Sequence, residues 1–214
     1  MSDFIHLTNK TEYSLSEGAL PIARISELCQ AFKMPAVGIT DTNNMFGALE
    51  FSEKVSSVGV QPIIGCNLKI KTPKIYLHEN IEEEDLHFFL NIFSKNEVGY
   101  KNLLNIISSA YMNHKENAYV DIEQLYKNKE GLLVLSGGNN SILKYSNGNS
   151  ITSQSASFVA DFKKEFIDNF YIEIQRIEGN DYRIDEEVIL NLAYDNDIPV
   201  VATNDVYFEG PDHF

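Results

Sequence analysis

Four stretches of this sequence place polar side chains directly after short apolar runs. Residues 4–7 contain His6 and lead into Thr8 and Lys10; residues 36–40 lead into Asp41, Thr42 and Asn43. Residues 60–65 lead to Asn67, and residues 198–203 open into Asp205 and Tyr207. Side chains set just past strand ends are where a barrel enzyme gathers its functional groups. Hydrolysis at a multi-metal centre needs converging His, Asp and Glu ligands, because Zn²⁺, Mn²⁺ and iron ions take imidazole and carboxylate donors. Here one histidine and two aspartates stand among hydroxyls, amides and a lysine, which is a poor ligand set for a di- or trinuclear centre. His6 lies on an apolar run and reads as a packed core residue. His78, His87, His114 and His213 share no ligand-like spacing. The sequence carries no GxSxG, P-loop or CxxC motif, so nucleophilic hydrolase, NTPase and zinc-finger readings lack support.

The elements that must position these groups alternate. After the apolar run 4–7, Pro21 can open a helix on which Ile22, Ile25, Leu28, Cys29 and Phe32 recur at helical spacing. Met34-Pro35 ends it, because the residue before proline disfavours helical dihedrals. Residues 36–40 read as a second strand. A second helix follows on Met45, Phe46, Leu49 and Val55, with Gly59 as its stop, and residues 60–65 supply a third strand. Strands parted by crossover helices predict right-handed βαβ units and a parallel sheet. Further strands are expected at 74–78, 87–93, 132–135, 170–174 and 198–203. A helix is expected over 97–112, with Tyr100, Leu103, Leu104, Ile107 and Tyr111 on one side. Residues 146–157, rich in Ser, Asn and Gly, read as a solvated loop. Phe158, Val159, Phe162 and Phe166 share one helix face, and Ile184, Val188 and Leu192, with Ile189 and Ala193 beside them, form another. Glu82-Glu83-Glu84-Asp85 reads as a solvated loop or helix start. With no internal repeat and no clear linker, the pattern favours one β/α barrel spanning residues 1–214.

The chain has 214 residues, 43% hydrophobic and 22% charged, which is ordinary globular composition. No apolar run approaches the roughly 18 residues that cross a bilayer. Cys29 and Cys66 form no CxxC pair and read as reduced core thiols of a cytoplasmic protein. The net charge of −14 disfavours DNA contact, because non-specific DNA affinity comes from Lys and Arg on phosphates.

The opening segment, Phe4-Ile5-His6-Leu7-Thr8-Asn9-Lys10-Thr11-Glu12-Tyr13-Ser14-Leu15-Ser16-Glu17-Gly18, resembles that of the PHP domain found in bacterial DNA polymerase III alpha subunits. Similar likenesses follow in order. They are Gly38 to Gly47 around Thr40-Asp41-Thr42, Pro62-Ile63-Ile64-Gly65-Cys66-Asn67, and Lys95-Asn96-Glu97-Val98-Gly99-Tyr100-Lys101-Asn102-Leu103. Phe170-Tyr171-Ile172-Glu173-Ile174-Gln175 and Ala202-Thr203-Asn204-Asp205-Val206-Tyr207-Phe208 complete the set. The resemblance implies a distorted, TIM-like PHP barrel, truncated at its C-terminus, as one domain of a much longer polymerase. It also implies that Thr8, Lys10, Thr42, Asn67 and Tyr207 stand where metal-binding members have His, His, His, Glu and His. Glu17 replaces an Asp, Asp205 matches a ligand, and Asp41 and His6 match positions kept beside the ligands.

From this resemblance the domain is expected to bind no metal or other cofactor and to hydrolyse nothing, with Mg²⁺ used in the polymerase domain of the parent. Its expected roles are to support the polymerase core and to dock a proofreading exonuclease subunit, among other replicase subunits, in the cytoplasm. DNA would be met through other domains, and no membrane is involved. The alternatives are an active PHP phosphoesterase or 3′–5′ exonuclease with a reduced site, and a stand-alone barrel that binds a small ligand. Lys10 is either a solvated lysine at the barrel mouth or an ammonium that fills the vacated metal volume and neutralises Asp205, Glu17 or Asp41.

Overall fold

The computed structural model describes residues 4–76, 87–114, 118–138, 141, 143, 152–176 and 186–210. Six strands form one curled sheet in sequence order, with helices packed along it. β1 (Ala36–Ile39) is apolar on both faces and wholly buried, as a strand covered on both sides must be. It pairs in parallel with β2 (Gln61–Lys71), Ala36 opposite Gln61 and Ile39 opposite Ile64. Before them comes α1 (Ile22–Ala31), with Pro21 at its N-cap, and between them α2 (Ala48–Ser57). Leu20, Ile22, Ile25, Cys29, Val37, Ile39, Phe51 and Val55 make the core of this half.

β3 (His87–Ser94) departs from the parallel expectation. It runs antiparallel to β2 and to β4 (Leu132–Leu135). Two helices, α3 (Glu97–Asn113) and α4 (Ile122–Lys127), lie between β3 and β4 and return the chain to the end it left, so Ser94 faces Leu132. A single crossover helix would instead have given a parallel pair. β4, β5 (Phe170–Gln175) and β6 (Val200–Thr203) are mutually parallel. They are joined by α5 (Ser153–Phe166) and α6 (Glu186–Asp195).

Other expectations also change. The strand expected at 74–78 is a 3₁₀ turn over Lys74–Tyr76, and residues 77–78 lie outside the described ones. Residues 4–7 form no ladder of their own, because the segment divides its backbone bonds between two neighbours. Gly38 N donates to His6 O and Thr40 N to Asn9 O; Val206 N donates to Thr8 O and Lys10 N to Val206 O. The N-terminal segment therefore bridges β1 and the stretch after β6. A Cβ on Gly38 would sit 2.2 Å from Leu7 O, so only glycine admits this approach.

On α2 the buried residues are Ala48, Phe51 and Val55, while Phe46 and Leu49 are exposed. On α3 they are Gly99, Leu103, Ile106, Ile107 and Ala110; Leu104 and Tyr111 lie at the surface. The expected loop over 146–157 is helical from Ser153, capped by Thr152, which accepts from Ser155 N. Residues 146–151, Ile184, the acid run 82–85, His78 and His213 lie outside the described residues. Among the described residues no helix is long and apolar enough to cross a membrane.

α3 begins on Asn96, whose Oδ1 accepts from Gly99 N at 2.9 Å. A Cβ on Gly99 would meet Gly131 O at 1.9 Å, because the helix start lies directly on the turn before β4. Gly99→Ala is therefore expected to lower stability by about 1–3 kcal/mol, although alanine is the better helix former by about 1 kcal/mol. Urea denaturation checks this, and an unchanged or raised midpoint contradicts the packing argument.

Candidate functional site

The carboxyl ends of the parallel strands lie at one rim, and the polar residues gather there. Thr42 and Asn67 form a parallel bridge beyond β1, with Asn43 N donating to Asn67 O at 2.9 Å and Asn67 N to Asp41 O at 3.1 Å. Across the sheet, Asn67 lies opposite Asn91 on β3, and Asn91 opposite Leu135 at the end of β4. Gln175 lies opposite Thr203 at the ends of β5 and β6. Side chains alternate along a strand, so Phe170 and Ile172 of β5 turn to the helices while Glu173 turns to the barrel interior.

Lys10 is 4% exposed, so it is not a solvated rim lysine. Its Nζ donates to Thr42 Oγ1 at 2.9 Å, and the Thr42 hydroxyl donates on to Glu17. Among the described residues no carboxylate comes within ion-pair distance of that ammonium. It feels Glu17, Asp205 and Asp41 through space, and these raise a pKa that burial lowers more strongly. Asp205 is itself pushed upward by burial, against Lys10 and the hydrogen bonds of Gln175 and Thr8. The Thr8 hydroxyl has one proton, and Asn204 O, 2.7 Å from Thr8 Oγ1, competes with Asp205 for it. Burial, with Asp205 and Glu17 nearby, pushes the Tyr207 phenol up to about 12.

Asp41 does a different job. It accepts from Thr11 N and Thr11 Oγ1, both at 2.7 Å, and from Ser14 Oγ at 2.6 Å. Those bonds fix the turn that carries Glu17 toward the mouth. Cys66, wholly buried and donating to Asp41 O at 3.2 Å, is pushed up to about 12 by desolvation and is an inert thiol. Cys29 is likewise free and buried. His6 stands apart from the mouth, in a mostly apolar cleft of about 150 Å³ with Leu20, Ile25, Cys29 and Met34. Among the described residues its Nδ1 has no hydrogen-bond partner, and burial lowers its pKa.

Reading strand ends did not single out Glu173, which is 2% exposed. Asn91 Nδ2 donates to both of its oxygens, at 3.1 and 2.9 Å, and Gly137 N donates at 3.1 Å. Gln175 Nε2 at 3.3 Å and Thr203 Oγ1 at 2.5 Å complete the shell. Asn67 Nδ2 donates to Asn91 Oδ1 at 2.8 Å, so the candidate at Asn67 is wired to this carboxylate. Desolvation pushes Glu173 up to about 6 despite these donors, with Asp205 adding to the rise. The signal in the sequence was a lone acid inside the apolar strand 170–174.

Thr8, Lys10, Glu17, Thr42, Asn67, Asp205 and Tyr207 thus border one mouth, while His6 lies elsewhere. As a metal site the donor set does not fit. Thr42 is spent between the Lys10 ammonium and Glu17, Asn67 is bonded to Asn91, and a lysine ammonium is itself a cation that donates and cannot ligate a metal. Among the described residues no three His, Cys, Asp or Glu side chains come together in a group able to hold a metal ion.

A curled sheet wrapped by helices, with its polar groups at the carboxyl ends of parallel strands, defines a β/α-barrel protein of the kind that displays its chemistry at one mouth. The chain belongs to the PHP domain family, whose sequence model matches residues 6–177. It is 37% identical over 211 residues to a DNA polymerase III subunit alpha of Caulobacter vibrioides, covering 97% of this chain. It is 31% identical over 212 residues to that of Haemophilus influenzae, covering 99%. The chain spans 18% of the length of each of these relatives. In fold it is similar to a candidate metal-dependent phosphoesterase from Bifidobacterium adolescentis. That match has a TM-score of 0.59 and 13% identity, over 98% of this chain and 90% of the other.

Proposed function

We propose that this chain is the PHP domain of a replicative DNA polymerase III alpha subunit and that the domain itself is catalytically silent. In this reading the parent synthesises DNA in the cytoplasm with Mg²⁺ in its polymerase domain. The PHP domain supports that core and docks a proofreading exonuclease subunit. The observation that carries the reading is the mouth itself: Thr8, Lys10, Thr42, Asn67 and Tyr207 supply hydroxyls, an amide and an ammonium where converging imidazoles and carboxylates are needed. A net charge of −14 supports protein docking over DNA contact, since an acidic surface repels phosphate.

The alternative of an active phosphoesterase draws on the phosphoesterase-like fold, and one experiment separates the two. Purified chain incubated with Mn²⁺ or Zn²⁺ and then desalted is expected to retain no stoichiometric metal and to hydrolyse p-nitrophenyl phosphate no faster than buffer. Retained metal together with turnover would replace this reading with the phosphoesterase one. Docking is checked by calorimetric titration with the organism's own 3′–5′ exonuclease subunit, where absence of heat and of co-elution removes that part.

A further inference from the structure

We propose that the cleft beside His6 is a binding site for a compact, uncharged, single-ring aromatic molecule. It lies between α1 and the stretch after β6, away from the barrel mouth, and does not depend on whether that mouth holds a metal.

The walls of the cleft are core residues. Leu20, Ile25, Cys29 and Val37 are each no more than 3% exposed, so the cavity is held by packing that needs no ligand. Arg24 Nε donates to Glu209 Oε2 at 2.8 Å, which ties α1 to the stretch after β6 and fixes the two sides of the cleft. Its volume of about 150 Å³ is that of apolar cavities that stay dry and take up benzene-sized molecules. Its polar side chains present no unpaired charge. Glu209 is bonded to Arg24, and Asn9 Nδ2 is turned to His6 O and Gly38 O. Burial lowers the His6 pKa, which leaves that ring uncharged at pH 7. A charged ligand would lose its water here and gain no counter-charge. Phe32 supplies the aromatic preference. It lines the cleft and is 68% exposed, so a guest ring covers its bare surface in an offset or edge-to-face contact.

Toluene titrated into the 214-residue chain and followed by methyl NMR is expected to bind saturably, with a Kd at or below about 1 mM. The shifts are expected at the methyls of Leu20, Ile25, Leu28, Met34 and Val37. Benzoate and benzylammonium, which carry a charge on the same ring, are expected to bind at least about tenfold more weakly. Cys29→Leu adds bulk inside the cleft and should weaken toluene by a similar factor. Should Cys29→Leu fail to fold, the methyl shifts of the unmodified chain decide alone. The proposal is overturned by the absence of a saturable shift up to the solubility limit of toluene, by shifts confined to other methyls, or by charged rings bound as tightly. Shifts of the same methyls with protein concentration alone would place a second copy of the chain in the cleft and overturn it too. The readout needs no turnover, metal or partner subunit, so failure here is distinct from failure of the functional reading.

Discussion

Replacing Phe162 with alanine is expected to lower the stability of the chain by about 3–5 kcal/mol, shifting the urea midpoint with little change in slope. Phe162 is fully buried, and its ring meets both α4 and β5 as well as its own helix. Ring centroids lie 4.2 Å away for Phe158, 5.6 Å for Phe166 and 5.4 Å for Phe170 on β5. Tyr126 of α4 stands edge-on at 5.5 Å, and Phe158 carries the cluster on to Phe88 of β3 at 5.2 Å. Removing the ring opens a cavity that these neighbours cannot all close. It also removes edge-to-face and tilted contacts worth about 0.5–1.5 kcal/mol each beyond burial. Phe46, 70% exposed in the turn before α2, provides the control. Phe46→Ala is expected to change stability by no more than about 0.5 kcal/mol. If the two substitutions cost the same, α5 does not anchor the sheet as described.

The same pair shows how far the sequence reached. Phe158, Val159, Phe162 and Phe166 recur at helical spacing, and all four are buried. Phe46 and Leu49 recur at helical spacing too, yet the face of α2 that packs is that of Ala48, Phe51 and Val55. Periodicity locates a helix but does not choose between overlapping apolar stripes; the neighbouring elements choose. The start of α5 was hidden because Thr152, Ser153 and Ser155 have loop-like composition, and only the cap geometry shows Thr152 accepting from Ser155 N. α4 escaped because six residues with Ile122 and Leu125 buried are too few for a period to register. The antiparallel course of β3 depends on a helix pair folding back on itself, which strand composition does not encode.

At the mouth, rim residues were legible because the end of an apolar run marks the end of a strand. Thr8, Lys10, Thr42, Asn67, Asp205 and Tyr207 were found in this way or by resemblance. What sequence order does not hold is the wiring between them. Asn91 and Glu173 lie 82 positions apart yet share two hydrogen bonds, and Thr42 joins Lys10 to Glu17 from a third segment. Asp41 ranked among possible ligands or their supports, and its oxygens are spent on Thr11 and Ser14. A carboxylate so occupied shapes a turn.

Glu173 carries the second large effect, and its sign is opposite to that of most carboxylates. Folding raises its pKa from 4.5 to about 6. Below the lower value the group is protonated in both states and contributes nothing to pH dependence. Above the higher value it is ionised in both, and the fold bears the full cost of a desolvated charge, about 2 kcal/mol. This group's contribution to stability is therefore expected to fall as pH climbs from about 4.5 to about 6. Asp205, also raised by burial, acts in the same direction. Glu50 and Glu165, lowered by Lys54 and Lys129, act in the other and lose their contribution on acidification. The bare stability curve mixes these signs, so the comparison must be with Glu173→Gln. Near pH 5 that variant is expected to be less stable than the unmodified chain by about 1–3 kcal/mol, because its amide cannot serve every donor and the fixed Gly137 N–H loses its acceptor. Toward neutral pH the gap should narrow, as the unmodified chain takes on the cost of the ionised carboxylate and the variant does not. A ¹³C resonance of the Glu173 carboxyl titrating near 6 would report the same event directly. A midpoint below 4.5 would mean that the donors of Asn91, Gly137, Gln175 and Thr203 outweigh desolvation. The gap to Glu173→Gln would then widen, not close, as pH rises.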